Sequence, residues 1–390
     1  MSKLQVVDPS EKTRVPFLRG ILTRSLQDAG MPFEAAYEMA SRIRADLAQR
    51  QEITTEELRA TVAEGLEEAV RKRYEQTGGS QGEIWVQDAD QEPVPYSRGR
   101  HRQGLEASAL SPENAAIIAA NVYAHLTQEG IVEIGRRQLM EITYRQILQD
   151  FGQTPARHYL VWEQFHHSDR PLLVFFGGTP GCGKSSVATR VANLLDIVRS
   201  QSTDMLREVM RILVPEKLLP ALHTSSFQAF QRLPAWEHQV QDEQALLAHG
   251  YLNQTELVSV ACEAAIERAL QERVSMVLEG VHVHPTLLSR LPQDGDAILV
   301  PMMLAVLKPS LLHQRILGRG RSSPDRRASR YLKNFQDIWE LQSFLLSEAD
   351  QANIPIVANE LMEVTVQRSM SLIMQSLSQH FSGNPEEVFS

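Results

Sequence analysis

The segment GTPGCGKSS at 178–186 constrains this chain more than any other stretch of its 390 residues. Gly178, Gly183, Lys184 and Ser185 fit the Walker A pattern G-x-x-x-x-G-K-[ST]. The run before it, PLLVFFGG (171–178), is apolar and closed by glycines, which reads as a buried strand of the parallel type. A helix is predicted from about Lys184 to Leu195. Strand, glycine-rich loop and helix in this order form a phosphate cradle. Glycines let backbone N–H groups turn inward without a Cβ clash, and the helix N-terminus adds a partial positive charge. The candidate ATP contacts are Gly178, Thr179, Pro180, Gly181, Cys182, Gly183, Lys184, Ser185 and Ser186. Lys184 is placed to reach the β- and γ-phosphates, and the Ser185 hydroxyl to ligate Mg²⁺. Cys182 reads as a small filler residue rather than a redox handle.

Further strands are predicted at DIVRSQ (196–201), VSMVLEG (274–280), AILVPMMLAVL (297–307) and IPIVAN (354–359), with helical stretches between them. This alternation predicts an α/β domain, a parallel sheet with helices on both faces. Catalytic groups then belong at the carboxyl ends of the strands. After the second strand come Asp204, a candidate to orient or deprotonate an acceptor hydroxyl, and Arg207, a candidate anion contact. Helix capping by Thr203 or Asp204 is the other account of this position, and the two roles can hold together. The third strand ends in Glu279, in the place of a Walker B acid, followed by His282 and His284. The His-x-His pair lacks a third ligand nearby, so a substrate contact or a structural role is expected of His282. No Asp follows this strand, so metal ligation falls to Ser185 with Glu279 or Asp204. After the fourth strand, HQRILGRGRSSPDRRASR (313–330) is rich in arginine. It reads as a mobile lid closing over the transferring phosphate, with Arg319 and Arg321 the first candidates to neutralise developing charge.

The N-terminal half contains a repeat. At an offset of 79, eleven of the 35 residues 15–49 recur in 94–128, where unrelated sequences would share roughly two. The shared opening (Val15/Val94, Pro16/Pro95, Arg19/Arg98, Gly20/Gly99) lies outside any helical periodicity. After a two-residue insertion Leu58 aligns with Leu139. Each copy is predicted to hold a short hairpin, two helices and a third helix. In the first copy Thr54 and Glu57 form a capping box. The expected boundaries are 1–74 and 83–150 for the repeats and 160–385 for the phosphate-loop domain. A net charge of −9 gives no footprint for nucleic acid. Two cysteines fit a reducing compartment, and no apolar run reaches the roughly 20 residues of a membrane span. A cytoplasmic protein is expected, with homo-oligomerisation left open.

The segments GGTPGCGKSS, STDMLREVMR, LHTSSFQA (222–229), LEGVHVHP and RYLKNFQDI, in this order, resemble archaeal 2-phosphoglycerate kinase and its relatives across about 165–360. The opening VPFLRGILTRSLQDAGMPFEAAYEMA resembles an ATP-cone, and 94–145 a degenerate second one. The resemblance implies ATP-dependent phosphorylation of 2-phosphoglycerate, a small anionic acceptor, with His223, Ser225 and Ser226 as acceptor-site candidates. The alternatives are another anionic acceptor, or a non-catalytic ATP sensor.

Overall fold

A computed structural model describes residues 4–389 apart from 9–12, 30, 48–49, 67–69, 72–83, 89–90, 235–241, 293–294 and 320–325. The chain packs as two compact units, Met1–Tyr96 with Ala124–Leu139, and Ser97–Tyr123 with Met140–Ser390.

In the first unit β1 (Gln5–Asp8) pairs antiparallel with β2 (Thr13–Pro16) and parallel with β3 (Glu52–Thr54). A second sheet repeats this order, with β4 (Trp85–Asp88) between β5 (Gln91–Pro95) and β6 (Glu133–Gly135). Val6 stands between Val15 and Ile53, and Val86 between Val94 and Ile134. The third strand of each sheet was not expected, because ITTEEL carries a strong helix-start signal. That signal is obeyed: Glu57 N–H donates to Thr54 Oγ1 at 3.1 Å and Thr54 N–H to Glu57 Oε2 at 3.3 Å. The three residues before the helix still pair, since Ile53 is buried against β1. Arg19 lies over the Tyr37 ring at 4.2 Å and donates to Ser41 Oγ.

The second unit holds a five-stranded parallel sheet in the order β11 (Ile356–Ala358), β10 (Ile298–Ala305), β7 (Leu172–Gly177), β9 (Met276–Gly280), β8 (Arg199–Ser202). Successive side chains of a strand point to opposite faces. Leu172, Val174 and Phe176 enter one core with Val187, Val191, Leu341, Leu345, Met370 and Ile373. Leu173 and Phe175 enter a second core with Val258, Cys262 and Ile266. Helices therefore cover both faces, and polar chemistry is left to the strand ends. β8 begins later than predicted. Asp196 (φ 55) turns the chain out of the preceding helix, and Val198 is 95% exposed, so the chain joins the sheet only at Arg199.

Pro301 sits inside β10, where a missing N–H would normally break a ladder. Ile298 donates toward β7 and Met303 toward the β11 side, so Pro301 faces a flank that β11, paired only from Met303, has not reached. Beyond the sheet, buried Gln342 takes over as β10's neighbour. Its Oε1 accepts from Val306 N–H at 3.1 Å and its Nε2 donates to Val306 O at 3.0 Å. Gln342→Leu strands both peptide groups in the core and should cost about 2–5 kcal/mol in chemical denaturation. A change below about 0.5 kcal/mol would show that the clamp is dispensable.

Candidate active site

Three positions in the turn after β7 are closed to any residue but glycine. Gly178 (φ 141), Gly181 (φ 91) and Gly183 (φ 89) all lie at positive φ. A Cβ on Gly178 would stand 2.5 Å from Leu304 O, and one on Gly183 2.5 Å from Asn359 Nδ2. Cys182 is fully buried in the core, and its thiol fills the space beside Gly178. Its carbonyl accepts from Asn359 Nδ2 at 2.7 Å and from Arg315 Nη1 at 3.4 Å. Asn359 is fixed in turn, its Oδ1 accepting from Thr365 Oγ1 at 3.0 Å. The helix Lys184–Leu194 starts at this turn, with Lys184 4% exposed and its Nζ 3.5 Å from Thr179 O. Pro180 is half-buried, and Ser185 and Ser186 are exposed.

Ser185 Oγ donates to Glu279 Oε1 at 2.9 Å, which joins the loop to the end of β9. The other carboxylate oxygen, Glu279 Oε2, is buried without a hydrogen-bond partner, as is Thr179 Oγ1. An orphaned buried carboxylate oxygen is costly unless a cation or donor completes it. Among the described residues no three His, Cys, Asp or Glu side chains gather into a metal cage. One carboxylate and one hydroxyl suit Mg²⁺, which keeps several waters and takes its remaining oxygens from phosphates.

Register places the other candidates beside this pair. Ser202 of β8 lies opposite Glu279, and the helix Thr203–Leu213 opens at once. Its N-cap residue is Ser202, with no side-chain capping bond, so neither Thr203 nor Asp204 is the N-cap. Asp204 lies exposed in the first turn. Arg207, one turn on, donates through Nη1 to Thr224 O and through Nη2 to Glu208 Oε1 at 3.2 Å. Ser225 and Ser226 are buried, and Ser225, N-cap of the 3₁₀ segment Ser226–Arg232, makes no side-chain capping bond. His223 Nε2 is engaged with Val214 O at 2.9 Å.

His282 must be corrected as a substrate contact. It is fully buried, and both ring nitrogens bond to protein groups, Nδ1 to Thr203 Oγ1 at 3.1 Å and Nε2 to Gln254 Oε1 at 3.0 Å. His284 is buried too, caps the helix Pro285–Ser289 by accepting from Thr286 N–H, and stacks on Phe344. Arg319 is the last residue of the helix Pro309–Arg319, and Arg321 lies outside the described residues. Sequence reasoning missed Asn359, although it closes the predicted strand IPIVAN. It also missed Gln254, whose only signal is polarity on the buried face of the helix Glu243–Gln271, between Tyr251 and Val258.

A phosphate loop, a carboxylate at the next strand end and an acid-bearing helix beyond define a P-loop kinase. No family model matches the chain. It is 33% identical over 285 residues to the 2-phosphoglycerate kinase of Methanopyrus kandleri, covering 73% of this chain and 85% of that one. It is 30% identical over 298 residues to the one from Pyrococcus horikoshii (76% and 96%) and 31% over 286 to the one from Thermococcus kodakarensis (73% and 95%). The chain belongs to the 2-phosphoglycerate kinase family. The matched stretch is longer than the distance from residue 160 to the C-terminus, so the likeness extends into the N-terminal half.

Burial pushes His101, His282 and His284 each down to about 4. Unfolded, each would titrate near 6.5. Between these values the unfolded chain binds the extra protons. The histidine contribution to stability is therefore present above about 6.5 and is lost as pH falls toward about 4, by up to about 1.4 kcal/mol per pH unit for each. Urea midpoints should fall between about pH 7 and pH 5, and less steeply in His284→Gln. An equal slope in that variant would remove His284 from the account.

Proposed function

We propose that this kinase transfers the γ-phosphoryl group of ATP to the free hydroxyl of 2-phosphoglycerate, giving 2,3-bisphosphoglycerate and ADP. The observation that carries the reading is the Ser185–Glu279 pair at the mouth of the phosphate loop, in a chain whose relatives are named 2-phosphoglycerate kinase. Loop amides between Gly178 and Ser186 cradle the terminal phosphates, and Lys184 balances their charge. Asp204 accepts the proton of the acceptor hydroxyl as its oxygen bonds to the γ-phosphorus and the bond to the β-phosphate oxygen breaks. Arg207 and the segment around His223, Ser225 and Ser226 hold the acceptor's carboxylate and phosphate. Arg319 and Arg321 neutralise the spreading charge. Magnesium, held by Ser185 and Glu279, would screen the phosphate oxygens.

Coupled ADP release from Mg²⁺-ATP and 2-phosphoglycerate should exceed that with other phosphorylated acids. Lys184→Ala should abolish it, and Asp204→Asn should lower kcat by about 10²–10⁴-fold. Activity surviving Lys184→Ala would dismiss the site; ATP binding without turnover would dismiss the acceptor.

The N-terminal repeats are read as nucleotide-binding modules of the ATP-cone type, with Arg19 as the first contact. This reading is supported by the Val-Pro-aromatic-x-Arg-Gly opening and by the position of Arg19 at the start of the helix Arg19–Asp28. Full-length Lys184→Ala protein should retain ATP binding by calorimetry and lose it when Arg19→Ala is added. No retained binding would leave the repeats a structural role.

A further inference from the structure

Three side chains with no exposed surface join separate elements behind the acceptor side. His282 follows β9, Thr203 opens the helix bearing Asp204, and Gln254 lies mid-way along the helix Glu243–Gln271. The directions of their hydrogen bonds follow from the partners. Gln254 Nε2 stands within reach of two carbonyl oxygens, Ala221 O and Thr224 O, so this end of the amide donates. Gln254 Oε1 is therefore the acceptor that faces His282 Nε2, and Nε2 carries the proton. Burial keeps the ring neutral, so Nδ1 is bare and accepts from the Thr203 hydroxyl. Thr203 Oγ1 accepts in turn from His282 N–H at 3.5 Å. One tautomer satisfies every group.

The ends of this chain are the parts that would touch an acceptor. Thr203 precedes Asp204, and Thr224 O receives both Gln254 and Arg207. The approach of Thr203 depends on Gly280, where a Cβ would collide with Thr203 Oγ1. A fully satisfied buried polar network admits one arrangement of its members, whereas apolar packing tolerates several. We propose that His282, locked as the Nε2-protonated tautomer, is a positioning residue that couples the Asp204–Arg207 turn to the Ala221–Thr224 segment, so that both sides of the acceptor site are held as one body. The inference rests on the reading of Asp204 and Arg207 as acceptor contacts.

Full-length variants test it. Thr203→Val and His282→Gln each cut the Thr203–His282 bond, the second while keeping a donor toward Gln254. Both should raise the KM for 2-phosphoglycerate about 10-fold and leave the KM for ATP within about twofold. His282→Asn, whose Oδ1 replaces the bare Nδ1 but which loses the donor toward Gln254, cuts the same chain at its other bond and should raise the acceptor KM comparably. An unchanged acceptor KM, or an equal rise for ATP, overturns the proposal. Hydrogen exchange decides it independently of the acceptor's identity. Thr203→Val should speed exchange in residues 203–211 and 220–228 and leave 172–187 unchanged, and a uniform or absent change overturns the coupling. A wild type that ignores 2-phosphoglycerate would remove the substrate reading alone.

Discussion

A parallel sheet buried on both faces can do chemistry only where its strands stop. In this chain that constraint governs everything else. Leu172 to Phe176 alternate between two cores and leave no exposed face. The strand then ends in a turn whose positive-φ glycines are hemmed in by Leu304 and Asn359. Backbone amides have to do the work of side chains there, and a helix N-terminus has to supply the field. Glu279, Asp204 and Asn359 follow at neighbouring strand ends, because the sheet offers nowhere else for them.

Much of this was legible in the sequence, because it depends on local rules. Strand, glycine turn and helix announce themselves by period and composition. Four of the five strands of the sheet fall within predicted segments; β8 starts three residues late, after the left-handed Asp196, and runs one residue past its segment. What was not legible depends on long-range pairing. Gln254 and His282 are 28 residues apart, and nothing local marks them as partners. His282 stood open to a contact or a structural role because an exposed and a fully buried histidine look alike in a sequence. β3 was hidden behind its own capping box, since a three-residue strand carries little signal beside a strong helix start.

The two N-terminal repeats share more than their sequence. Strand order and pairing at Val6 and Val86 are the same in both sheets. The opening arginine meets a tyrosine in both copies, yet from different places. Arg19 lies over Tyr37, 18 residues on, whereas Arg98 lies over Tyr123, two further turns along its helix. The cation–π contact is kept while its sequence position moves.

One carbonyl has a consequence for the whole nucleotide side. Cys182 O takes up both Asn359, at the exit of β11, and Arg315, on the helix that leads into the arginine-rich stretch. Two remote elements therefore share the lone pairs of a single oxygen in the loop. Thermodynamic reciprocity then applies: whatever strengthens the Arg315 contact as the loop fills must, by the same factor, favour filling when Arg315 is already in place. The loop and the helix that carries Arg315 thus meet at one oxygen.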